Sequence, residues 1–154
     1  MPDLATPTPG PSPQGGGEKD GALTQRVREV DAASRHLPHP AVIEAYGKGG
    51  FRFADMSHRG ALLCLPRGVW ASAVTAPEEI DTALLALALA PDAAIDHFLL
   101  GTGLAPFQPP AALRQAFRER RIVLEAMTTG PAVRTYNILL GERRRIGALL
   151  IPVD

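Results

Sequence analysis

The chain has 154 residues, which suits one domain with a sizeable core. Lys+Arg and Asp+Glu balance at 16 each, so no global field favours nucleic acid or an anionic membrane face. The single cysteine, Cys64, excludes an internal disulfide framework and a cysteine-rich zinc site, and it suits a reducing compartment.

The first residues, Pro2 to Gly21, are dominated by proline and glycine. Such a segment has almost nothing apolar to bury and cannot offset its ordering entropy, so disorder is expected. A polyproline ligand is the functional alternative. Leu23, Val27 and Val30 recur at helical spacing, which allows a short helix or a docked arm. Residues 1–37 are therefore assigned to a tail and 38–154 to a single α/β domain. The start lacks a basic stretch leading into an apolar one, so no signal peptide is expected. The longest apolar run, Ala83–Ala90, falls far below the roughly 18 residues of a membrane span. These features point to a cytoplasmic protein.

Ala41–Tyr46 reads as a strand. Gly47-Lys48-Gly49-Gly50 then turns, and Phe51-Arg52-Phe53 returns. Asp55-Met56-Ser57 reads as a turn. Gly60–Leu65 and Val69–Val74 are strands joined through Pro66, Arg67 and Gly68. This half is expected to be antiparallel. A helix follows from Pro77 through Ile80, Leu84, Leu87 and Ala88, and Pro91 stops it. Strand Ile95–Leu100, helix Pro110–Arg120, strand Ile122–Ala126, a helix from Thr129 or Gly130, and strand Ile146–Ile151 complete the chain. Strands separated by helices must cross over, so this half is expected to be a parallel βαβαβ unit with helices on both faces.

Gly101-Thr102-Gly103 follows a buried strand and precedes a helix, where backbone N–H groups can meet a phosphate. Glu125 even imitates the acid that binds a ribose in dinucleotide folds. The fingerprint then fails: Pro106 stands at its third glycine position, and no Walker lysine follows. A plain crossover turn and a small-molecule or anion pocket both remain open. Thr135 and Asn137 lie on the last helix beside an apolar stripe. They either form a hydrogen-bond knot that fixes the helix or line the same pocket. The candidate pocket is therefore Gly101, Thr102, Gly103, Thr135 and Asn137. Cys64 sits in an apolar run and reads as core. His36, His39, His58 and His97 show no ligand spacing on a helix face, so no metal is expected. Asp55, Ser57 and His58 are close in sequence, but a triad is defined by spatial roles. No catalytic residue and no cofactor is assigned. Two arginine clusters, Arg114, Arg118, Arg120 and Arg121, and Arg143, Arg144 and Arg145, read as helix ends or as a surface for an anionic partner.

One ordered series of residues is informative. It runs from Tyr46-Gly47-x-Gly49-Gly50-Phe51-Arg52-Phe53 through Arg59-Gly60, Leu65-Pro66, Trp70 and Gly101-Thr102-Gly103. It ends in Met127-Thr128-Thr129-Gly130-Pro131-Ala132-Val133-Arg134-Thr135-Tyr136-Asn137-x-Leu139. From about His39 to the C-terminus the chain resembles the small-domain family of unknown function that includes mitochondrial respiratory complex I assembly factor 3. The alanine and arginine content would suit a bacterial member. The resemblance implies a three-layer α/β fold with a mixed central sheet and no established catalysis. It also implies an interaction or assembly role, with protein partners such as subunits of respiratory complex I, at the periphery of the inner membrane through a partner. A small-molecule-binding protein or an enzyme is the alternative. The chain departs from the family pattern at Arg121 and Arg143, where glycine is expected in left-handed geometry, and at Thr128, which replaces a usual aspartate. Arginine in that geometry costs roughly 1 kcal/mol, unless Gly141 moves the second cap upstream.

Overall fold

The computed structural model describes residues 35–154, and the expected tail and short helix before Arg35 lie outside them. Two sheets are present: a six-stranded mixed sheet and a three-stranded antiparallel sheet. The small sheet comprises β2 (Ala45–Gly47), β3 (Gly50–Phe53) and β4 (Met56–Arg59). The large sheet comprises β1 (Arg35–Leu37), β5 (Ala61–Leu65), β6 (Gly68–Ser72), β7 (His97–Gly101), β8 (Val123–Met127) and β9 (Ile146–Leu150), in the order β1-β6-β5-β9-β7-β8. β7 is parallel to β8 and β9, while β5 is antiparallel to β6 and β9. The antiparallel first half thus divides: one part is a separate sheet and the other extends the large one.

Alternation along the strands sends side chains to two cores. Leu63, Leu65, Trp70, Phe98, Leu100 and Leu149 face one side. There they meet Ile80, Leu84, Leu85 and Ala88, and also Leu113 and Phe117 of helix α2 (Ala111–Glu119). The rings of Phe98 and Phe117 stack at 5.1 Å. Leu62, Cys64, Val69, Leu99, Ala148 and Leu150 face the other side. They meet Ala132, Val133 and Tyr136 of helix α3 (Thr129–Gly141), with Phe51 and Phe53 of the small sheet. The strands that read as continuous apolar runs are therefore covered on both faces, as that pattern requires.

Three local expectations need correction. The helix expected over 77–90 breaks into a 3₁₀ turn at Pro77–Glu79 and a single α-helical stretch, α1 (Ala86–Leu89). Ile80 is extended between them, and the Asp81 Oδ1 accepts the Leu84 N–H at 2.8 Å. An aspartate that engages its own backbone competes with helix continuation. Met56 and Ser57 belong to β4, because the turn is only Ala54-Asp55, both at positive φ (49° and 62°). That is the twist of a tight two-residue hairpin. Residues 41–44 precede β2 without joining a strand. No helix among the described residues is long and apolar enough to cross a membrane.

Both arginine departures lie at helix ends in left-handed geometry, Arg121 at φ 59° and Arg143 at φ 62°. After α2 the Arg121 N–H reaches the Arg118 carbonyl and the Ile122 N–H the Phe117 carbonyl, at 2.9 and 3.0 Å. After α3 the Arg143 N–H reaches Leu140 and the Arg144 N–H Leu139, at the same distances. Each is a Schellman closure with arginine at its C′ position. Gly141 stays inside α3, so the second cap does not move upstream.

Candidate functional site

The carboxyl ends of β7, β8 and β9 meet in register: Gly101 lies opposite Met127 on one side and Leu150 on the other. The loop after β7 is stitched to the start of α3 through Thr129. The Thr129 hydroxyl, fully buried, donates to the Ile151 carbonyl at 2.6 Å and accepts the Gly103 N–H at 2.9 Å. The Thr129 N–H in turn donates to the Gly103 carbonyl at 2.9 Å, and the Ile151 N–H to Gly101 at 2.9 Å. Thr102 donates its N–H to the Met127 carbonyl and its hydroxyl to the Ala105 carbonyl, at 2.9 and 2.8 Å. The N–H groups of Thr102 and Gly103, which a phosphate would need, are therefore engaged inside the protein. A Cβ on Gly101 would stand 3.0 Å from Leu150 Cδ2 and 3.2 Å from the Ala132 methyl, so glycine there follows from close packing.

Clefts lie on either side of this loop. One, of about 360 Å³, is lined by Thr75, Glu78, Thr102, Gly103, Pro106 and Val153 among others. The other, of about 520 Å³, is lined by Pro106, Phe107, Gln108, Ala126, Met127 and Thr128. Neither includes Thr135 or Asn137. The Thr135 hydroxyl meets the Met127 sulfur at 3.8 Å. Asn137 grips Ile43, accepting its N–H and donating to its carbonyl, both at 2.8 Å. Of the five candidate residues, the structure thus brings Thr102 and Gly103 to a cleft, with Gly101 packed behind them. Thr135 faces β8, and Asn137 binds the segment before the small sheet.

The remaining candidates have other partners. Glu125 pairs with His97 at 2.8 Å. Burial pushes the Cys64 thiol up to about 12, so it stays a thiol. The Tyr136 hydroxyl beside it is likewise pushed up, first by burial. Ser57 and His58 alternate on β4 and face opposite sides, so they cannot form a triad with Asp55. His58 instead shares a hydrogen bond with His36 (3.1 Å) and another with the Ala61 carbonyl (3.1 Å). Burial lowers both imidazoles, and for His36 the neighbouring His58 lowers it further. Among the described residues no group of three or more His, Cys, Asp or Glu could hold a metal.

Two features escaped the sequence reading. Thr129 was legible as a helix start but not as the hub of the β7–α3–β9 junction. Tyr46 lies across the first turn of α3, and a Cβ on Gly130 would fall 2.7 Å from its hydroxyl oxygen. The Thr-Gly pair at the start of α3 is the only sequence signal for either.

A six-stranded mixed sheet with a three-stranded antiparallel sheet defines a mixed α/β domain with the architecture of a Mth938-like domain. The chain belongs to the family described as "Protein of unknown function (DUF498/DUF598)", whose model matches residues 43–151. An uncharacterised protein of Rhodobacter capsulatus is 36% identical over 72% of this chain and 84% of its own length. The mouse protein named NADH dehydrogenase [ubiquinone] 1 alpha subcomplex assembly factor 3 is 29% identical over 86% of this chain and 71% of its own length. Among solved structures, the Rpa2829 protein of Rhodopseudomonas palustris is 48% identical with a TM-score of 0.67, covering 80% of this chain and 93% of that one. A Bartonella henselae chain described as an outer membrane protein is 44% identical with a TM-score of 0.73, covering 77% and 100%. A Bordetella pertussis protein described as a Mth938-like domain is 27% identical with a TM-score of 0.64, covering 73% and 85%.

Proposed function

We propose that this chain is a non-catalytic interaction or assembly protein that assists maturation of respiratory complex I or another membrane complex. The observation that carries this reading is the likeness, over 86% of the chain, to a protein named for the assembly of NADH dehydrogenase. The strand-end loops support it, because their polar groups hold the fold together: the Thr102 and Thr129 hydroxyls donate to backbone carbonyls. On this reading the domain expected over residues 38–154, together with β1 (Arg35–Leu37), works as one three-layer unit. The protein acts in the cytoplasm and reaches the inner membrane through its partner. Affinity purification from the native host is expected to recover complex I subunits or those of another membrane complex. A clean purification without any such partner overturns the reading.

A second reading rests on Thr102 and Gly103, which line the 360 Å³ cleft beside the Glu78 carboxylate. Here the protein binds a small molecule outside the carboxyl ends of its parallel strands, the usual place in α/β folds. A screen of metabolites by thermal shift that finds no ligand stabilising the wild type more than a Thr102→Val variant removes this reading.

A further inference from the structure

We infer that the outer face of the three-stranded sheet is a docking surface for an acidic, carboxylate-bearing segment of a partner protein. The inference rests on the assembly reading and locates the contact it requires.

Alternation decides which side chains face outward. On β3, Phe51 and Phe53 are buried and Arg52 between them is exposed; on β4, Met56 and His58 are half-buried while Ser57 and Arg59 are exposed. Register places Ala45 opposite Arg52, Arg52 opposite Ser57, and Gly50 opposite Arg59. Arg52 and Arg59 are therefore diagonal neighbours on one outward face, a diagonal spacing of about 7–8 Å in antiparallel sheets. Lys48 stands on the adjoining turn, held at φ 54°, and the Arg59 guanidinium reaches over Gly49 of that turn. Small residues between the cations leave a cleft of about 430 Å³, lined by Tyr46, Lys48, Arg52, Ser57 and Arg59 among others.

No carboxylate lines this cleft. Among the described residues, Lys48, Arg52 and Arg59 make no ion pair. Asp55 occupies the β3–β4 turn, and Glu44 donates its N–H to the Arg52 carbonyl at 2.8 Å. Asp154 follows Val153, whose carbonyl accepts the Gly49 N–H at 2.8 Å. None of these three carboxylates pairs with Lys48, Arg52 or Arg59. Three like charges on one face with no ion-paired carboxylate repel one another. A partner's carboxylates would relieve that repulsion, and paired guanidinium groups recognise carboxylates in a bidentate fork.

Val42, 47% exposed, precedes β2 and leaves an aliphatic side chain near this shelf. Tyr46 pairs with Phe51 and so faces inward, with its hydroxyl at Gly130 of α3, and it does not border the outward face. A compact cationic shelf suits a carboxylate-bearing protein segment. A polyphosphate chain or an anionic membrane is less suited. The whole chain is neutral, so it lacks the long-range field that holds extended polyanions, and the shelf is only three strands wide.

Fluorescence anisotropy of a labelled peptide of alternating glutamate and leucine, added to the full chain, tests this. Binding is expected that weakens with salt, and roughly tenfold or more when Arg52→Glu and Arg59→Glu are combined. Arg52→Gln with Arg59→Gln, checked for an unchanged melting temperature, is expected to weaken it by a smaller factor. Arg143→Glu with Arg144→Glu, a change of the same charge elsewhere, is expected to leave it unaltered. Absence of peptide binding, equal binding by the Arg52/Arg59 variants, or equal loss in the Arg143/Arg144 variant overturns the inference. So does binding of phosphatidylglycerol vesicles or a single-stranded oligonucleotide in place of the peptide. If affinity purification with the Arg52/Arg59 variant still recovers the host partner, this surface is wrong and the assembly role stands. If the wild type recovers none, the assembly role itself fails.

Discussion

Asn137 closes both hydrogen bonds of a single residue, Ile43, that lies 94 positions earlier in the chain. Its side-chain amide behaves like a neighbouring strand, giving and accepting at 2.8 Å. Ile43 is 3% exposed and its segment has no strand partner there, so the asparagine replaces the pairing that buried backbone requires.

Replacing Asn137 with alanine is therefore expected to lower stability by about 2 kcal/mol, since it leaves a donor and an acceptor without partners. Asn137→Asp keeps the acceptor but sets a charge against the Ile43 carbonyl, so it should be no more stable than alanine. Urea denaturation of the three proteins measures this. Equal midpoints would show that the bonds contribute nothing.

Thr129 offers a sharper comparison. Thr129→Val keeps the shape but strands the Gly103 N–H and the Ile151 carbonyl, at an expected cost of about 2–3 kcal/mol. Thr129→Ser keeps the hydroxyl and should recover most of that loss. If serine and valine melt alike, the hydroxyl is not what joins β7, α3 and β9.

The two arginine caps predict a gain. Glycine occupies left-handed geometry without a Cβ clash, so Arg121→Gly and Arg143→Gly should each stabilise by about 0.5–1 kcal/mol. For a chain of this size that is a rise in melting temperature of about 2–4 °C at the upper end. Arg134→Gly, inside α3, should instead destabilise by about 1 kcal/mol.

The imidazole pair sets a pH dependence. Burial lowers His36 and His58 below the ordinary histidine value of about 6.5, which the unfolded chain retains. In acid the unfolded state therefore binds more protons than the folded state. Stability should be at its full value above that ordinary value. It should fall as pH drops through it toward the lowered folded values. Melting temperatures from neutral to mildly acidic pH check the sign. A His36→Asn, His58→Asn variant should show a flatter profile over that window.

What the sequence determined by itself is the set of elements whose burial is written in periodicity. Gly60–Leu65, Ile95–Leu100 and Ile146–Ile151 are apolar on both faces, and they became the covered strands β5, β7 and β9. The proline-started segments at Pro110 and Pro131 became the two long helices, each with its apolar side on the sheet. Periodicity says nothing about strands held by pairing alone. Arg35–Leu37 and Met56–Arg59 are polar or half-exposed and take their place from backbone partners in β6 and β3. Nor does it reveal that an aspartate at 81 interrupts a helix with a good apolar stripe. The candidate pocket divided for the same reason. Thr102 and Gly103 reach a cleft because the chain turns there, whereas the partners of Asn137 and Thr129 are set by which distant backbone arrives beside them. The placement of Arg52 and Arg59 as diagonal neighbours on one outward face needed the hairpin register. Local pattern reports which side of an element is buried; only the tertiary structure decides what lies against it.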